Sequence, residues 1–417
     1  MPGPSCTSTM RRTAANARAR HRRLPFWFFG LVLLGGCWSS GSDTPAAAPG
    51  STGPNGTLPA ANTAAAEGSW RRIGAPPIAP AGGMAAAWTG RQLVVWGGGG
   101  APMSEHDGAN WHPANAGAAY DPAADRWDVL PAAPVPGRLG ATAVWTGREV
   151  VFWGGTAGHD AFFADGAAYD PATRKWRVLP PAPIEARSDH QAVWTGREMV
   201  VWGGIEQCCP VDSEIHDPAA AAYDPATNQW RRLPDVPGPW SGDDGTAVTL
   251  VHGERALLWR RGHLGALDAP AGAWSEVAGV PPAPLPDDPA LPSTTGDPVA
   301  MGAVAGGEVF TWTGKSGRLH GLAWRPSDAR WRRTATLDAQ SGGRVVAGGP
   351  DRIYAAAGQS ARILRYSIPE DRWTELPLPP ARTRSAAVLV WTGSDLLFWG
   401  GTGDEGPEMD GAIWHCC

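Results

Sequence analysis

A repeat of about fifty residues constrains the fold of this chain more than any other feature of its sequence. The segment AVWTGREVVFWGG at 143–155 returns as AVWTGREMVVWGG at 192–204, and variants of it occupy 86–98 and 389–401. Each copy predicts two strands joined by a Thr-Gly turn, because glycine admits the positive φ that a tight hairpin requires. One such unit cannot bury an apolar core alone, so the repeat predicts an array of similar units.

A second phrase adds two more strands to the unit. GAAYDPAADRW at 117–127 recurs as GAAYDPATRKW at 166–176 and as AAAYDPATNQW at 220–230. Its tyrosine ends a predicted third strand, Asp-Pro forms a turn, and its tryptophan begins a fourth strand. Seven tryptophans occupy this outer-strand position at a mean spacing of about 50 residues: Trp70, Trp127, Trp176, Trp230, Trp274, Trp331 and Trp373.

The composition agrees with many short strands. Gly 55 and Pro 41 are too numerous for long helices, whereas 23 Trp and a hydrophobic content of 43% argue against a disordered chain. The diglycine, the Tyr-Asp-Pro turn and the outer tryptophan together resemble the kelch repeat. The resemblance covers 69–417 and implies an all-β fold, a seven-bladed kelch-type β-propeller similar to the central domain of galactose oxidase. Units four to six match less well, with ALLWRRG, VFTWTG and IYAAAG in place of the strand that ends in diglycine.

The two ends of the repeat region are complementary. It opens on an outer strand, SWRRIGAPP, and closes on a third strand, GAIWHCC. We therefore expect the amino-terminal strand to complete blade seven and close the ring, which leaves no open sheet edge between the ends. A six-bladed alternative would discard one weak unit, the sixth.

The first 36 residues predict export. Six arginines precede the apolar run LPFWFFGLVLLGG, which has the length of a signal peptide and is short for a membrane span. The following LLGGC resembles the lipobox of bacterial lipoproteins, which implies cleavage before Cys37 and its lipidation. Residues 37–68 are a Ser-, Gly-, Ala- and Pro-rich linker. The expected location is extracytoplasmic, with membrane contact through the lipid anchor; an ordinary secretory signal is the alternative.

The charge of the exported chain argues against nucleic acid as a partner. Removal of residues 1–36 takes away six arginines and no acid, which leaves 29 basic against 40 acidic residues and a net charge of −11. A surface of that sign repels a phosphate backbone.

Candidate binding residues lie where the repeat varies. The connections between second and third strands, and those from fourth strands to the next first strands, among them the proline-rich 278–298, should emerge on one face of the ring, where variable loops on a rigid scaffold often carry function. Their polar residues form the candidate binding rim: Glu105, His106, Asp107, Trp111, His112, His159, Asp160, Glu206, Glu214, His216, Asp404 and Glu405. Histidine and carboxylates suit metals, but no known ligand spacing occurs, so we predict neither a metal site nor a cofactor.

A second set of polar residues precedes the first strands, at the predicted mouth of the central channel. Periplasmic sialic-acid mutarotases of the kelch type use polar residues there. The comparable residues here are Arg138, Arg187, Asp189, His190, Asp243, Asp244 and Arg384. The alternative interpretation, which we favour, gives these arginines a structural role in the internal hydrogen bonding of the channel.

Two further residue types bear on enzymatic function. Copper-radical oxidation of the galactose oxidase type requires free tyrosines, and the sequence offers none on the rim. Four of the five tyrosines take the turn position, and Tyr354 falls within a second strand. Cysteines outside the signal and anchor form two adjacent pairs, 208–209 and 416–417, whose oxidation state stays open.

These patterns favour an extracytoplasmic, lipid-anchored propeller that acts as a binding or scaffold module for a protein or glycan. The alternative is a sugar-active enzyme, an isomerase of the mutarotase type or a hydrolase, that uses the channel mouth. No catalytic residue is predicted.

Overall fold

A computed structural model describes much of the chain from Gly68 to Cys416. The description omits residues 80, 100–112, 159–160, 207–217, 239, 242–246, 261–262, 278–297, 316–317, 338–343, 347–348, 357–361, 383, 385–386 and 404–405. The described residues form strands and turns, with no helix long and apolar enough to cross a membrane.

Seven four-stranded antiparallel sheets make up the fold, each numbered here as a blade in chain order. Blade one comprises Ala85–Trp88, Leu93–Trp96, Gly117–Asp121 and Arg126–Val129. Blade two comprises Thr142–Trp145, Val150–Trp153, Gly166–Asp170 and Lys175–Val178. Blade three comprises Gln191–Trp194, Met199–Trp202, Ala220–Asp224 and Gln229–Leu233. Blade four comprises Val248–His252, Arg255–Arg260, His263–Asp268 and Ala273–Glu276. Blade five comprises Pro298–Ala305, Glu308–Lys315, Arg318–Arg325 and Arg330–Leu337. Blade six comprises Arg344–Val346, Arg352–Ala356, Ile363–Ser367 and Arg372–Glu375.

Blade seven joins the two ends of the repeat region, as the sequence predicts. Its strands are Val388–Trp391, Asp395–Trp399, Gly411–Cys416 and the amino-terminal Gly68–Ile73. The last two pair antiparallel, with Trp70 opposite Trp414. The prediction of seven blades closed by this strand is confirmed, and the six-bladed alternative is wrong because the sixth unit forms a complete sheet. All strands of the ring come from within 68–416.

The ring has two distinct ends. The Thr-Gly turns and the Asp-Pro turns lie at one end, which we call the turn face; the diglycines and the connections that follow them lie at the other, the loop face. Gly68 pairs with Cys416, which ends a strand running away from the loop face. The chain therefore enters the ring on the turn face.

Aromatic residues hold neighbouring blades together. The indole Nε1 of Trp127 in blade one donates a hydrogen bond to the Gly74 carbonyl beside blade seven, at 2.8 Å. The indole of Trp176 in blade two likewise donates to the Pro131 carbonyl beside blade one, at 2.9 Å. Five of the seven outer tryptophans thus fill an inter-blade space and also satisfy the indole N–H: Trp70, Trp127, Trp176, Trp274 and Trp373. Among the described residues, no partner meets the buried indole N–H of Trp230 or Trp331. The inter-blade contact explains why the phrase that runs from the Tyr-Asp-Pro turn to the outer tryptophan recurs.

An ionic layer at the perimeter reinforces the same interfaces. Glu149, before the second strand of blade two, binds Arg177 in the outer strand of that blade. Arg177 also donates to the Tyr223 hydroxyl of blade three, at 2.6 Å. Blade three repeats the first contact, with Arg231 and Glu198 2.8 Å apart. Because these pairs are largely shielded from solvent, they resist screening better than exposed ion pairs do.

Candidate functional site

Long connections between second and third strands occur in four consecutive blades. In blades one, two, three and seven, the second strand is separated from the third by 97–116, 154–165, 203–219 and 400–410. Blades four and five join the same strands through 261–262 and 316–317 alone. In blade six the same strands are separated by 357–362. Long second-to-third connections therefore belong to four of the seven blades, and one further long connection of the loop face, 277–297, joins blade four to blade five.

Paired glycines give the long connections their starting geometry. Gly154 and Gly155 have φ of +69° and +96°, a region that other residues rarely adopt. A Cβ on Gly155 would lie 2.5 Å from the Leu139 carbonyl oxygen, so a side chain has no room there. The Gly155 amide donates to the Arg187 carbonyl of blade three at 2.8 Å, which locks the diglycine onto the next blade. Glycine is thus required for both conformation and close approach.

Arg138 is buried beneath the connection of blade two, where it acts as a clamp. One of its guanidinium nitrogens donates to the Gly154 carbonyl at 3.1 Å and to an Asp165 carboxylate oxygen at 2.7 Å. The guanidinium also stacks on Phe163, 4.0 Å from the ring centroid. Burial lowers the Arg138 pKa, an effect that Asp165 partly offsets; the group stays charged because an arginine pKa starts far above neutrality.

Equivalent arginines serve blades three and seven. Arg187 donates to the Gly203 carbonyl at 2.9 Å. Arg384 lies 3.3 Å from the Gly400 carbonyl oxygen, and its other terminal nitrogen is 2.7 Å from an Asp410 carboxylate oxygen. All three arginines are at most 3% exposed. Each reaches the first glycine 16 residues later, so the three form one repeated device at the start of a long connection. Arg138 and Arg384 also hold the far end of the connection, through the carbonyls of Asp165 and Asp410.

His190 is a buried residue of the interface between blades two and three. Its Nε2 lies 2.7 Å from the Thr142 hydroxyl, and its ring meets Trp153 edge-on at 4.8 Å. Burial, aided by the nearby Arg187 charge, lowers the pKa of His190 to about 3. The imidazole is therefore neutral at physiological pH and is held among packed side chains, which suits a structural role.

Asp189 and Glu206 lie beside the Arg187 clamp. Asp189 has a φ of +56°, and its carboxylate accepts a hydrogen bond from the Ser188 hydroxyl at 2.9 Å. Glu206 lies in a short strand, Ile205–Glu206, where it pairs with Arg187 in register. The structure thus brings together four of the predicted residues, Arg187, Asp189, His190 and Glu206, around the start of the blade-three connection.

The other predicted residues fall outside the described part of the chain. They are the rim residues Glu105, His106, Asp107, Trp111, His112, His159, Asp160, Glu214, His216, Asp404 and Glu405, the mouth residues Asp243 and Asp244, and Cys37. Among the residues that the structure does describe, no group of three or more His, Cys, Asp or Glu side chains could hold a metal ion.

The tyrosines occupy structural positions. Tyr120 is 1% exposed and donates a hydrogen bond to Asp125 at 2.6 Å. Burial, together with this bond, raises the pKa of Tyr120 to about 12. Tyr223 and Tyr366 make the same contact with Asn228 and Asp371. Buried phenols of such high pKa hold the proton that a tyrosinate metal ligand must lose.

The sequence analysis missed one component of the clamp. Asp165 precedes the third strand of blade two and had no assigned role, yet it supplies the carboxylate for Arg138. The signal was present, since Asp-Gly opens the third strand in blades two and seven, at 165–166 and 410–411, and the aspartate of each contacts the clamp arginine. A residue shared by two blades out of seven does not stand out from a single sequence.

Seven antiparallel four-stranded blades, closed by a strand from the other end of the chain, define a seven-bladed β-propeller. The sequence profile of the KLHDC2/KLHL20/DRC7 Kelch-repeats domain matches residues 83–263, from blade one into blade four. The chain is a seven-bladed β-propeller that contains a kelch-repeat domain. None of the curated proteins compared with the chain matches it.

Proposed function

We propose that this propeller is a binding protein of the cell envelope, which engages a protein or glycan ligand through the loop face of blades seven, one, two and three. The observation that carries the proposal is that the long connections between second and third strands occur in these four consecutive blades. Kelch propellers are commonly protein-binding scaffolds, so a protein is the first ligand class to test.

The construction of the loop face supports recognition over catalysis. The clamp arginines direct their charge inward, at backbone carbonyls and at the carboxylates of their own blades. They anchor the connections in place and leave the variable residues of those connections to make contacts. Recognition by loops on a rigid frame needs no convergent catalytic geometry.

The face on which the chain enters the ring supports anchorage through Cys37. Because the chain enters at Gly68 on the turn face, a linker from a lipidated Cys37 would leave the loop face directed away from the membrane. A diacylated cysteine would hold the protein stably. Palmitate labelling of the exported chain, lost in Cys37→Ala, tests the anchor separately from ligand binding.

The binding function is tested with residues 68–417, which contain every strand of the ring. Pull-down from envelope extracts and a glycan array should each be run with this protein and with a variant in which Glu105, Asp107, Asp404 and Glu405 become the matching amides. A specific ligand lost in the variant supports the proposal. The matched control neutralises four exposed acids of the turn face instead, Glu254, Asp328, Asp351 and Glu370, and should keep the ligand.

The sugar-active alternative predicts a different result. An isomerase at the channel mouth would bind monosaccharides and interconvert their anomers, which NMR detects directly. Substitution of Asp189 to Asn would abolish that exchange while the rim variant retained it. Ligand binding that depends on the rim and not on Asp189 would argue against the enzyme.

A further inference from the structure

Four tryptophans stand at the turn-face end of the innermost strands. Each is the last residue of a first strand and directly precedes a Thr-Gly turn: Trp391, Trp88, Trp145 and Trp194, in blades seven, one, two and three. The innermost strands of these neighbouring blades contact one another around the central channel. The four indoles therefore form an arc around one end of that channel, and each is partly exposed.

These indoles differ from the other repeated tryptophans in what they do with the N–H group. Outer tryptophans such as Trp127 and Trp176 donate to a carbonyl of the neighbouring blade. Within the described residues, no hydrogen-bond acceptor meets the N–H of Trp88, Trp145 or Trp194. A partly exposed tryptophan whose ring packs against an apolar cluster, with an N–H that has no partner among the described residues, suits a boundary between apolar and polar surroundings.

Arginines surround the arc of indoles. The turns in blades one to three read Thr-Gly-Arg, and the side chains of Arg91 and Arg148 are 82% and 84% exposed. Arg197 is also exposed. So is Lys175, which begins the outer strand of blade two directly after its Asp-Pro turn.

Two of these arginines pair with the aspartates of the neighbouring Asp-Pro turns: Arg91 is 3.2 Å from Asp121, and Arg148 is 3.8 Å from Asp170. The two carboxylates are far less exposed than the guanidinium groups, at 6% and 16% of their side chains. Asp125 is 56% exposed and pairs with Arg71. The most exposed charges at the Thr-Gly turns of blades one to three are therefore arginines, on an exported chain of net charge −11.

The chain enters the ring on this same face. Gly68 begins the outer strand of blade seven at its turn-face end, and 67 residues precede it, including the apolar run and Cys37. We propose that the turn face of blades seven, one, two and three docks on an anionic lipid surface, with the four indoles at headgroup level and the arginines against lipid phosphates. The inference rests on the proposed anchor for its biological setting, but the surface itself can be tested without it.

The experiment is co-sedimentation of residues 68–417, which lack Cys37, with vesicles. Phosphatidylcholine alone is compared with phosphatidylcholine mixed with phosphatidylglycerol. The test variant carries Arg91→Ser, Arg148→Ser and Arg197→Ser, because Ser394 already occupies that turn position in blade seven. The control variant carries Arg72→Ser, Arg232→Ser and Arg333→Ser, which remove the same charge from the outer strands.

The expected result is binding to the anionic vesicles only, weakened by salt. It should fall roughly 10- to 100-fold in the test variant, since each surface cation near an anionic leaflet contributes about fivefold. The control should retain most of the binding. Equal losses in the two variants, or no binding of the parent protein, would overturn the proposal. Unchanged circular dichroism spectra of both variants establish that each is folded. A failed vesicle test leaves palmitate labelling and ligand capture unaffected, so it is distinguishable from failure of the proposed function.

Discussion

Blades seven, one, two and three differ from blade five in how the second strand ends. In blade seven the strand stops at Trp399, and Gly400 and Gly401 turn the chain away with φ of +68° and +102°. In blade five the residues after the equivalent Trp312 stay in the ladder, with Thr313 paired to His320. The hairpin then closes through 316–317. The glycine pair therefore decides whether a blade carries a long connection, while the sheet beneath is the same.

The comparison predicts its largest effect at the glycines. Gly154→Ala should lower the free energy of unfolding by about 3 kcal/mol or more, because its φ is +69° and the new Cβ would lie 2.5 Å from His190 Cε1. Thr313→Ala, at the corresponding place in blade five, should cost no more than about 1 kcal/mol. Urea denaturation measures both, and similar losses would contradict the distinction between the blades.

The clamp should give the next largest effect. Arg138→Met should cost about 3 kcal/mol, because it leaves the Gly154 carbonyl and Asp165 without their buried donor. The matched control is Arg333→Met in the outer strand of blade five, an exposed residue expected to change stability by less than about 0.5 kcal/mol. Comparable destabilisation in both variants would mean that the buried clamp has no special role.

His190 should make the interface of blades two and three sensitive to acid. Its pKa is about 3 in the folded chain, against about 6.5 when unfolded, so the unfolded state binds the proton first as pH falls. Its contribution is fully present above pH 6.5 and should be lost by roughly 1.4 kcal/mol per pH unit below it, until pH approaches 3. Stability of wild type minus His190→Gln, measured across this range, isolates the slope.

The perimeter ion pairs should give the smallest effects. Glu149→Gln in blade two should cost about 1 kcal/mol, since Glu149 is buried and binds Arg177 through both oxygens. Glu375→Gln in blade six should cost less than about 0.5 kcal/mol, because both partners in its pair with Arg362 are 42% exposed. Thermal unfolding in low and high salt would separate them, and a larger loss at Glu375 would reverse the expected order.

Much of the frame could be predicted because its determinants are local and repeated. The Thr-Gly turns, the Asp-Pro turns and the outer tryptophans each specify a conformation at their own position, and counting them gives seven blades. The pairing of the strands that contain Trp70 and Trp414 followed from the ends of the repeat region, because it begins with an unpaired outer strand and ends with a third strand that lacks one. By contrast, Arg138 meets Asp165 only because the fold brings them together, so no short sequence motif predicts their contact. The ligand is less predictable still, since the residues that would define it are those that do not repeat.

Closure by the amino-terminal strand has a consequence for biogenesis. Trp70 donates its hydrogen bond to the Pro377 carbonyl, 307 residues later, so the first strand to be synthesised has no lasting partner until nearly the whole chain exists. Contacts of such long sequence separation form slowly, because the intervening chain must be ordered first. Blade seven is therefore the last to be completed, and a prematurely terminated chain is left with an unsealed ring that proteases and chaperones can distinguish from the finished protein.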